Sequence, residues 1–261
     1  CESGLTARGI PLTVVRTRAE TRANLEIIAD DGTVTEILEP GGAVTEGEVE
    51  RLLSACRDIF ADNREGTQVA ISGSLPPGMP VDFYAELIRI AHSFGCRVLL
   101  DTSGEPLRQG LGAAPDLVKP NRNEAAWFAG RPVHSADTAM EVTQQLIKAG
   151  ARSVAISLGS EGMVWQRERD SATFVSKAPH IKARSTVGSG DAALAAFAVA
   201  HKRGLNDEET LRLATACGAA NCLAEAPGLI DPAEVERIGR EIYVARLQST
   251  YHAVESNGVG R

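Results

Sequence analysis

With 261 residues, 43% of them hydrophobic and 23% charged, the chain has enough apolar content for one large α/β domain, alone or with a small appendage, and too much to be a disordered polymer. A net charge of −7 without any run of Lys and Arg argues against a nucleic-acid or anionic-membrane surface, and no apolar run nears the roughly 18 residues that span a bilayer. Five cysteines (Cys1, Cys56, Cys96, Cys217, Cys222) are scattered without zinc spacing and no basic-then-apolar leader is seen, so reduced thiols in the cytoplasm are expected.

In chain order, Cys1 to Gly9 reads as the tail of a helix and Ile10 to Arg16 as a strand. Thr21 to Ala29 and Thr33 to Leu38 are β-prone runs joined by Asp30, Asp31 and Gly32, a strong hairpin signal. After Pro40 to Gly42 the rhythm changes. Glu46 to Phe60 is an amphipathic helix, with Val49, Leu52, Leu53, Cys56, Ile59 and Phe60 at helical spacing. Gln68 to Ile71 reads as a strand, Val81 to Phe94 as a helix, Arg97 to Leu100 as a strand, and Leu117 with Val118 as a short strand. Thr138 to Ala149 is a helix and Ser153 to Leu158 a strand; Gly162 to Gln166 and Ala172 to Val175 form a hairpin. Helices follow after Asp191, over Asn206 to Ala224 and over Pro232 to Gln248, and Glu255 to Arg261 is a frayed tail. This alternation predicts a mostly parallel sheet with helices on both faces, whose ligands gather at the carboxyl ends of the strands.

The informative loops lie at those ends. Ser185, Thr186, Val187, Gly188, Ser189, Gly190 and Asp191 run into an alanine-rich helix. Bare N–H groups at a glycine-rich helix start can hold an anion, and a carboxylate beside them can take a proton from a hydroxyl while negative charge on a transferring phosphoryl group is steadied. An ordinary Asp-capped turn explains the same residues about equally well. Ser72 to Gly78 is a loop of hydroxyls and glycine stiffened by Pro76 and Pro77, either a rigid turn or a holder of sugar and phosphate oxygens. Asp101 to Glu105 is another polar loop. In Lys119 to Glu124, Asn121 and Glu124 share one side of a first helical turn, where an amide and a carboxylate can hold a hydrated Mg²⁺ or simply form a capping box. Gly159 to Gly162 permits close approach to a flat ligand or a tight turn. Their succession, each after a strand, outweighs any one of them.

These segments, in this order, resemble the ribokinase-like (PfkB-type) carbohydrate kinases, in the branch of phosphofructokinases and tagatose 6-phosphate kinases. The resemblance covers nearly the whole chain and is most specific in Ser72 to Gly78, Asp101 to Gly104, Lys119 to Glu124, Ser157 to Gly162 and Thr186 to Asp191. It implies a central sheet between helices with a small β-lid that often joins two subunits. Asp191 would be the catalytic base, with Gly188, Ser189 and Gly190 as the anion hole; Asn121 and Glu124 would organise Mg²⁺ and the phosphates of ATP, Glu124 reaching the metal through water. Thr186, Ser157, Gly159 and Gly162 would lie near the nucleotide. Arg22 and Asn24 of the lid, with Ser74, would meet the phosphate already on the sugar. The implied reaction converts tagatose 6-phosphate or a fructose 1- or 6-phosphate to a bisphosphate, and dimerisation through the lid is a further implication.

The chain departs from that pattern at its start. The family's early aspartate for the sugar hydroxyls and its Gly-Gly-Lys-Gly segment have no counterpart; the adjacent Gly41 and Gly42 are followed by Ala43. Residues 1–17 therefore read as a remnant of an N-terminal core, 18–40 as the lid segment, 41–254 as the nucleotide- and substrate-binding core, and 255–261 as the tail. Lower stability or loss of activity is expected of such a chain. A kinase for an unphosphorylated sugar or nucleoside, and a non-catalytic nucleotide or sugar-phosphate sensor, are the competing readings.

Overall fold

A seven-stranded sheet organises the computed structural model, which describes residues 2–29, 34–62, 66–168 and 172–248. Its strands are β3 (Gln68–Ser72), β4 (Arg97–Asp101), β5 (Leu117–Val118), β6 (Ser153–Ser157), β7 (Met163–Arg167), β8 (Ala172–Lys177) and β9 (Tyr243–Gln248), and they neighbour one another in sequence order. From β3 to β6 the pairings are parallel; β6 to β9 form an antiparallel meander. A separate antiparallel hairpin, β1 (Asn24–Ile28) with β2 (Val34–Leu38), pairs Leu25 with Ile37 and Glu26 with Glu36. The turn expected at Asp30 to Gly32 and the tail expected at 255–261 lie outside the described residues.

Alternation along the buried strands divides the apolar side chains between two layers. Val98, Leu100, Val118, Val154 and Ile156 face one cluster with α2 (Glu46–Ala61), α3 (Phe83–Ser93), α4 (Gly104–Leu111), α5 (Arg122–Ala129) and α6 (Ala136–Lys148). Leu99, Leu117, Ala155 and Trp165 face the other, with α7 (Ser189–Arg203), α8 (Asp207–Leu223) and α9 (Pro232–Glu241). The short α1 (Glu2–Thr6) buries none of its residues.

Three expectations are corrected. Ile10 to Arg16 is not a strand: it lies outside both sheets and is largely exposed. β-branched composition makes a strand only where a neighbouring edge supplies hydrogen bonds. Pro232 to Gln248 is not one helix. It breaks after Glu241; Ile242 is extended, and β9 pairs along the edge of β8 from Lys177↔Tyr243 to Ala172↔Gln248. Burial of Ile242 and Val244 on one side is a strand period, and the available edge of β8 decides between that and the helical period. The polar loop after β4 ends at Ser103, and the unread helix α4 follows. Gly104, Pro106 and Gly110 hide it, although proline is tolerated in a first helical turn.

Candidate active site

At the carboxyl end of the parallel strands, the start of α7 meets the loops after β3 and β4. Gly188 caps α7 in the left-handed conformation (φ 78°), with Pro227 against it so closely that a Cβ would stand 3.0 Å from the proline Cβ. The turn is pinned on both sides. Asn221 Nδ2 donates to the Val187 carbonyl (2.7 Å) while its Oδ1 accepts from Gly228 N (2.9 Å), and Val187 N donates to Ser185 Oγ (3.1 Å). Ser189 N is spent on the Thr186 carbonyl (3.2 Å). The N–H groups of Gly188, Gly190 and Asp191 find no acceptor among the described residues, so these, rather than that of Ser189, are the donors free to hold an anion. The Ser189 hydroxyl instead meets Cys222 Sγ at 3.1 Å.

Asp191, in the first turn of α7, is exposed, and its Oδ1 accepts a 2.6 Å hydrogen bond from Ser72 Oγ at the end of β3. Behind the turn sits an ion pair. Lys119, whose side chain is 2% exposed, donates to Asp101 Oδ2 at 2.8 Å. A Cβ on Gly190 would stand 3.2 Å from Lys119 Nζ and 3.4 Å from Asp101 Oδ2, so the missing side chain lets the pair press against the turn. Burial pushes the Asp101 carboxyl above the usual carboxylate range; Lys119 opposes this and the Asp191 charge adds to it. Neither Lys119 nor Asp101 was selected from sequence as a site residue. The available signal was a lysine closing the buried run Leu117, Val118 before Pro120.

Asn121 and Glu124 come together as a reciprocal cap of α5: Asn121 Oδ1 accepts from Asn123 N and Glu124 N, and Glu124 Oε2 accepts from Asn121 N at 2.8 Å. Burial raises the Glu124 carboxyl, against the Asn121 N–H, and the nearby Asp101 charge raises it further. Asn121 also bridges to Ser157 at the end of β6. Among the described residues no three His, Cys, Asp or Glu side chains form a metal cage.

Ser157, Gly159, Gly162, Thr186, Ser189 and Gly190 all line one cavity of about 290 Å³, closed by the 178–183 segment and by Ala214, Gly218, Ala219 and Cys222 of α8. Gly162 has φ 97°, and a Cβ there would lie 2.1 Å from the Ser176 carbonyl oxygen, so no other residue fits this turn. In the loop after β3, two residues beyond Ser72, Ser74 Oγ accepts from Arg22 Nη1 at 3.0 Å across 52 residues of sequence. Tyr84 and Thr102 hydroxyls hold the intervening Gly73 carbonyl. Asn24 opens β1 and shares its face with Glu26.

A carboxylate beside uncommitted helix-start donors, an adjoining slot and a guanidinium at the loop after β3 together suit phosphoryl transfer to a hydroxyl. The profile of the pfkB family carbohydrate kinases matches residues 1–234. The chain is similar to a 1-phosphofructokinase of Vibrio cholerae (29% identity over 245 residues, 94% of this chain and 76% of that protein). A 1-phosphofructokinase of Rhodobacter capsulatus shares 34% over 242 residues, covering 92% and 75%. Among solved structures, phosphofructokinase-2 from Escherichia coli in complex with potassium superposes with TM-score 0.82 at 29% identity, over 92% of this chain and 77% of that one. Ribokinase of Arabidopsis thaliana, at 21% identity and TM-score 0.66 over 85% and 70%, shares the fold. With that fold and the profile spanning most of its length, the chain belongs to the pfkB family of carbohydrate kinases.

Proposed function

We propose that this kinase transfers the γ-phosphoryl group of ATP to a free hydroxyl of a phosphorylated ketohexose, fructose 1-phosphate, fructose 6-phosphate or tagatose 6-phosphate, giving a bisphosphate. The observation that carries this is the Asp191 carboxylate, hydrogen-bonded by Ser72, beside the uncommitted N–H groups that open α7. Asp191 takes the proton of the attacking hydroxyl, and the Gly188, Gly190 and Asp191 N–H groups hold the phosphoryl oxygens as charge develops. The cavity between Gly159, Thr186 and α8 receives the nucleotide. Glu124, with one carboxylate oxygen turned to its cap, would hold Mg²⁺ through water, as suits an ion that keeps its hydration; the metal would supply charge neutralisation between phosphates. The kinship with 1-phosphofructokinases supports a phosphorylated sugar, and Arg22 is the fork for its ester phosphate.

The test is Mg²⁺-dependent ATP consumption with each of the three sugar phosphates and with the free sugars. Turnover with one sugar phosphate is expected, and Arg22→Met should raise its KM about 10–100-fold, the worth of a charged hydrogen bond, with little change in kcat. ATP consumption with free sugars alone, or with none of these acceptors, overturns the reading.

The hairpin, within segment 18–40, acts in this reading as a lid, and the core of 41–254 holds the remaining groups. Leu25, Ile27 and Ile37 are about half exposed on one face of it, and lid-to-lid dimerisation would cover them. Leu25→Asp with Ile37→Asp should convert a dimer to a monomer in light scattering; an unchanged mass sinks this assignment. Cys56, Cys96, Cys217 and Cys222 are free thiols, which suits a cytoplasmic setting.

A further inference from the structure

The polar face of the hairpin reaches the core at two separate loops. Arg22 touches Ser74, and four residues on, Glu26 Oε2 accepts a 2.7 Å hydrogen bond from Ser185 Oγ, a contact spanning 159 residues of sequence. Ser185 is thereby fixed between two partners, since the same hydroxyl accepts the Val187 N–H at 3.1 Å. The next link is the Val187 carbonyl, held by Asn221, and beyond it lies Gly188 with its left-handed backbone. Val187, the residue just before Gly188, is thus clamped at its carbonyl by the core and at its N–H by a chain of two hydrogen bonds ending on the hairpin.

A carboxylate this close to a turn built for anions adds nothing attractive to phosphate binding. Its value is geometric. Both Glu26 and Ser185 are half-buried, where a charge-assisted hydrogen bond outlasts competition from water better than at a fully exposed site. We propose that Glu26 is a positioning residue: acting through Ser185, it ties the seating of the hairpin to the shape of the phosphate turn, so that closing over the acceptor sugar and ordering of the donor site are one event. Because Arg22 lies two residues before β1 and Glu26 lies on it, an acceptor that engages Arg22 biases Glu26 toward Ser185. By linkage the two substrates then tighten each other's binding by the same factor. The role of Glu26 in shaping the turn rests on these hydrogen bonds alone; the sugar-phosphate half of the coupling rests on the proposed function.

Two measurements separate these. In the ligand-free protein, amide hydrogen exchange over 185–191 should accelerate about tenfold in Glu26→Ala, as befits loss of one charge-assisted hydrogen bond. Ser185→Ala should match it, and the double variant should add nothing. Glu26→Gln and Ser185→Thr, which keep an acceptor and a hydroxyl, should restore most of the protection. Wild-type exchange in Glu26→Ala, or additive effects of the two alanines, overturns the proposal. The second measurement is calorimetric affinity for a non-hydrolysable ATP analogue with and without fructose 1-phosphate, fructose 6-phosphate or tagatose 6-phosphate. The sugar phosphate should tighten the analogue about tenfold in the wild type and not in Glu26→Ala; equal coupling in both overturns the proposal. Should none of the three sugar phosphates bind the wild type, the functional reading fails, and the exchange result still decides the role of Glu26.

Discussion

Asp191→Asn lowers kcat with the accepted sugar phosphate by about 10²–10⁴-fold, the range lost when a general base is removed, and leaves nucleotide affinity nearly unchanged. Asparagine fills the same volume and keeps an oxygen for the Ser72 hydroxyl, so the 2.6 Å contact and the start of α7 survive. The donors proposed to hold the phosphoryl oxygens are backbone groups of Gly188, Gly190 and residue 191 itself, which the substitution does not alter. Only proton acceptance is lost. Ser72→Ala, by contrast, frees the carboxylate to rotate and should cost about tenfold. Steady-state kinetics beside calorimetric nucleotide binding checks both. An Asp191→Asn enzyme within threefold of wild-type kcat removes Asp191 from the role of base.

Lys119→Met destabilises the protein by about 3–5 kcal/mol at neutral pH, the cost of leaving one member of a buried ion pair without its partner. Asp101, 14% exposed, would face the Asp191 charge without the ammonium 2.8 Å away. The sign of the pH dependence follows. Burial already holds the Asp101 carboxyl above its usual range, and loss of Lys119 raises it further, so folding of the variant favours the protonated acid. That contribution is fully present below the unfolded carboxylate pKa and is lost as pH rises through the raised folded value. The stability gap between variant and wild type should therefore be widest at neutral pH and narrow as pH falls into the carboxylate range. Thermal melting across that interval checks this. A constant gap would mean that the lysine serves by packing alone. Because the pair presses against Gly190, the variant should also bind nucleotide more weakly than its residual stability explains.

The division between what sequence discloses and what folding adds runs along the range of the interactions. Helix periodicity in Glu46–Ala61, the strand runs at Arg97 and Ser153, and the Gly-Ser-Gly-Asp turn are written in near neighbours, because capping, amphipathicity and turn chemistry act over a few residues. For the same reason Asn121 and Glu124 were legible as a helix-start pair, and the order of the polar loops placed the site at the strand ends. Ser157, Gly159, Gly162, Thr186, Ser189 and Gly190 of the cavity lining belong to such local motifs, whereas its walls from the 178–183 segment and α8 do not. Ile10 to Arg16, expected as a strand on its β propensity, finds no sheet edge, and Tyr243 to Gln248, expected as the end of a helix on its period, pairs along the open edge of β8; the edge and not the local sequence decides both. Lys119 with Asp101, Ser72 with Asp191, and Glu26 with Ser185 are 18, 119 and 159 residues apart. Sequence supplied each of those polar groups. Which of them meet was decided by the sheet order and the seating of the hairpin, since a buried or half-buried charge must find its partner wherever the packed chain brings one.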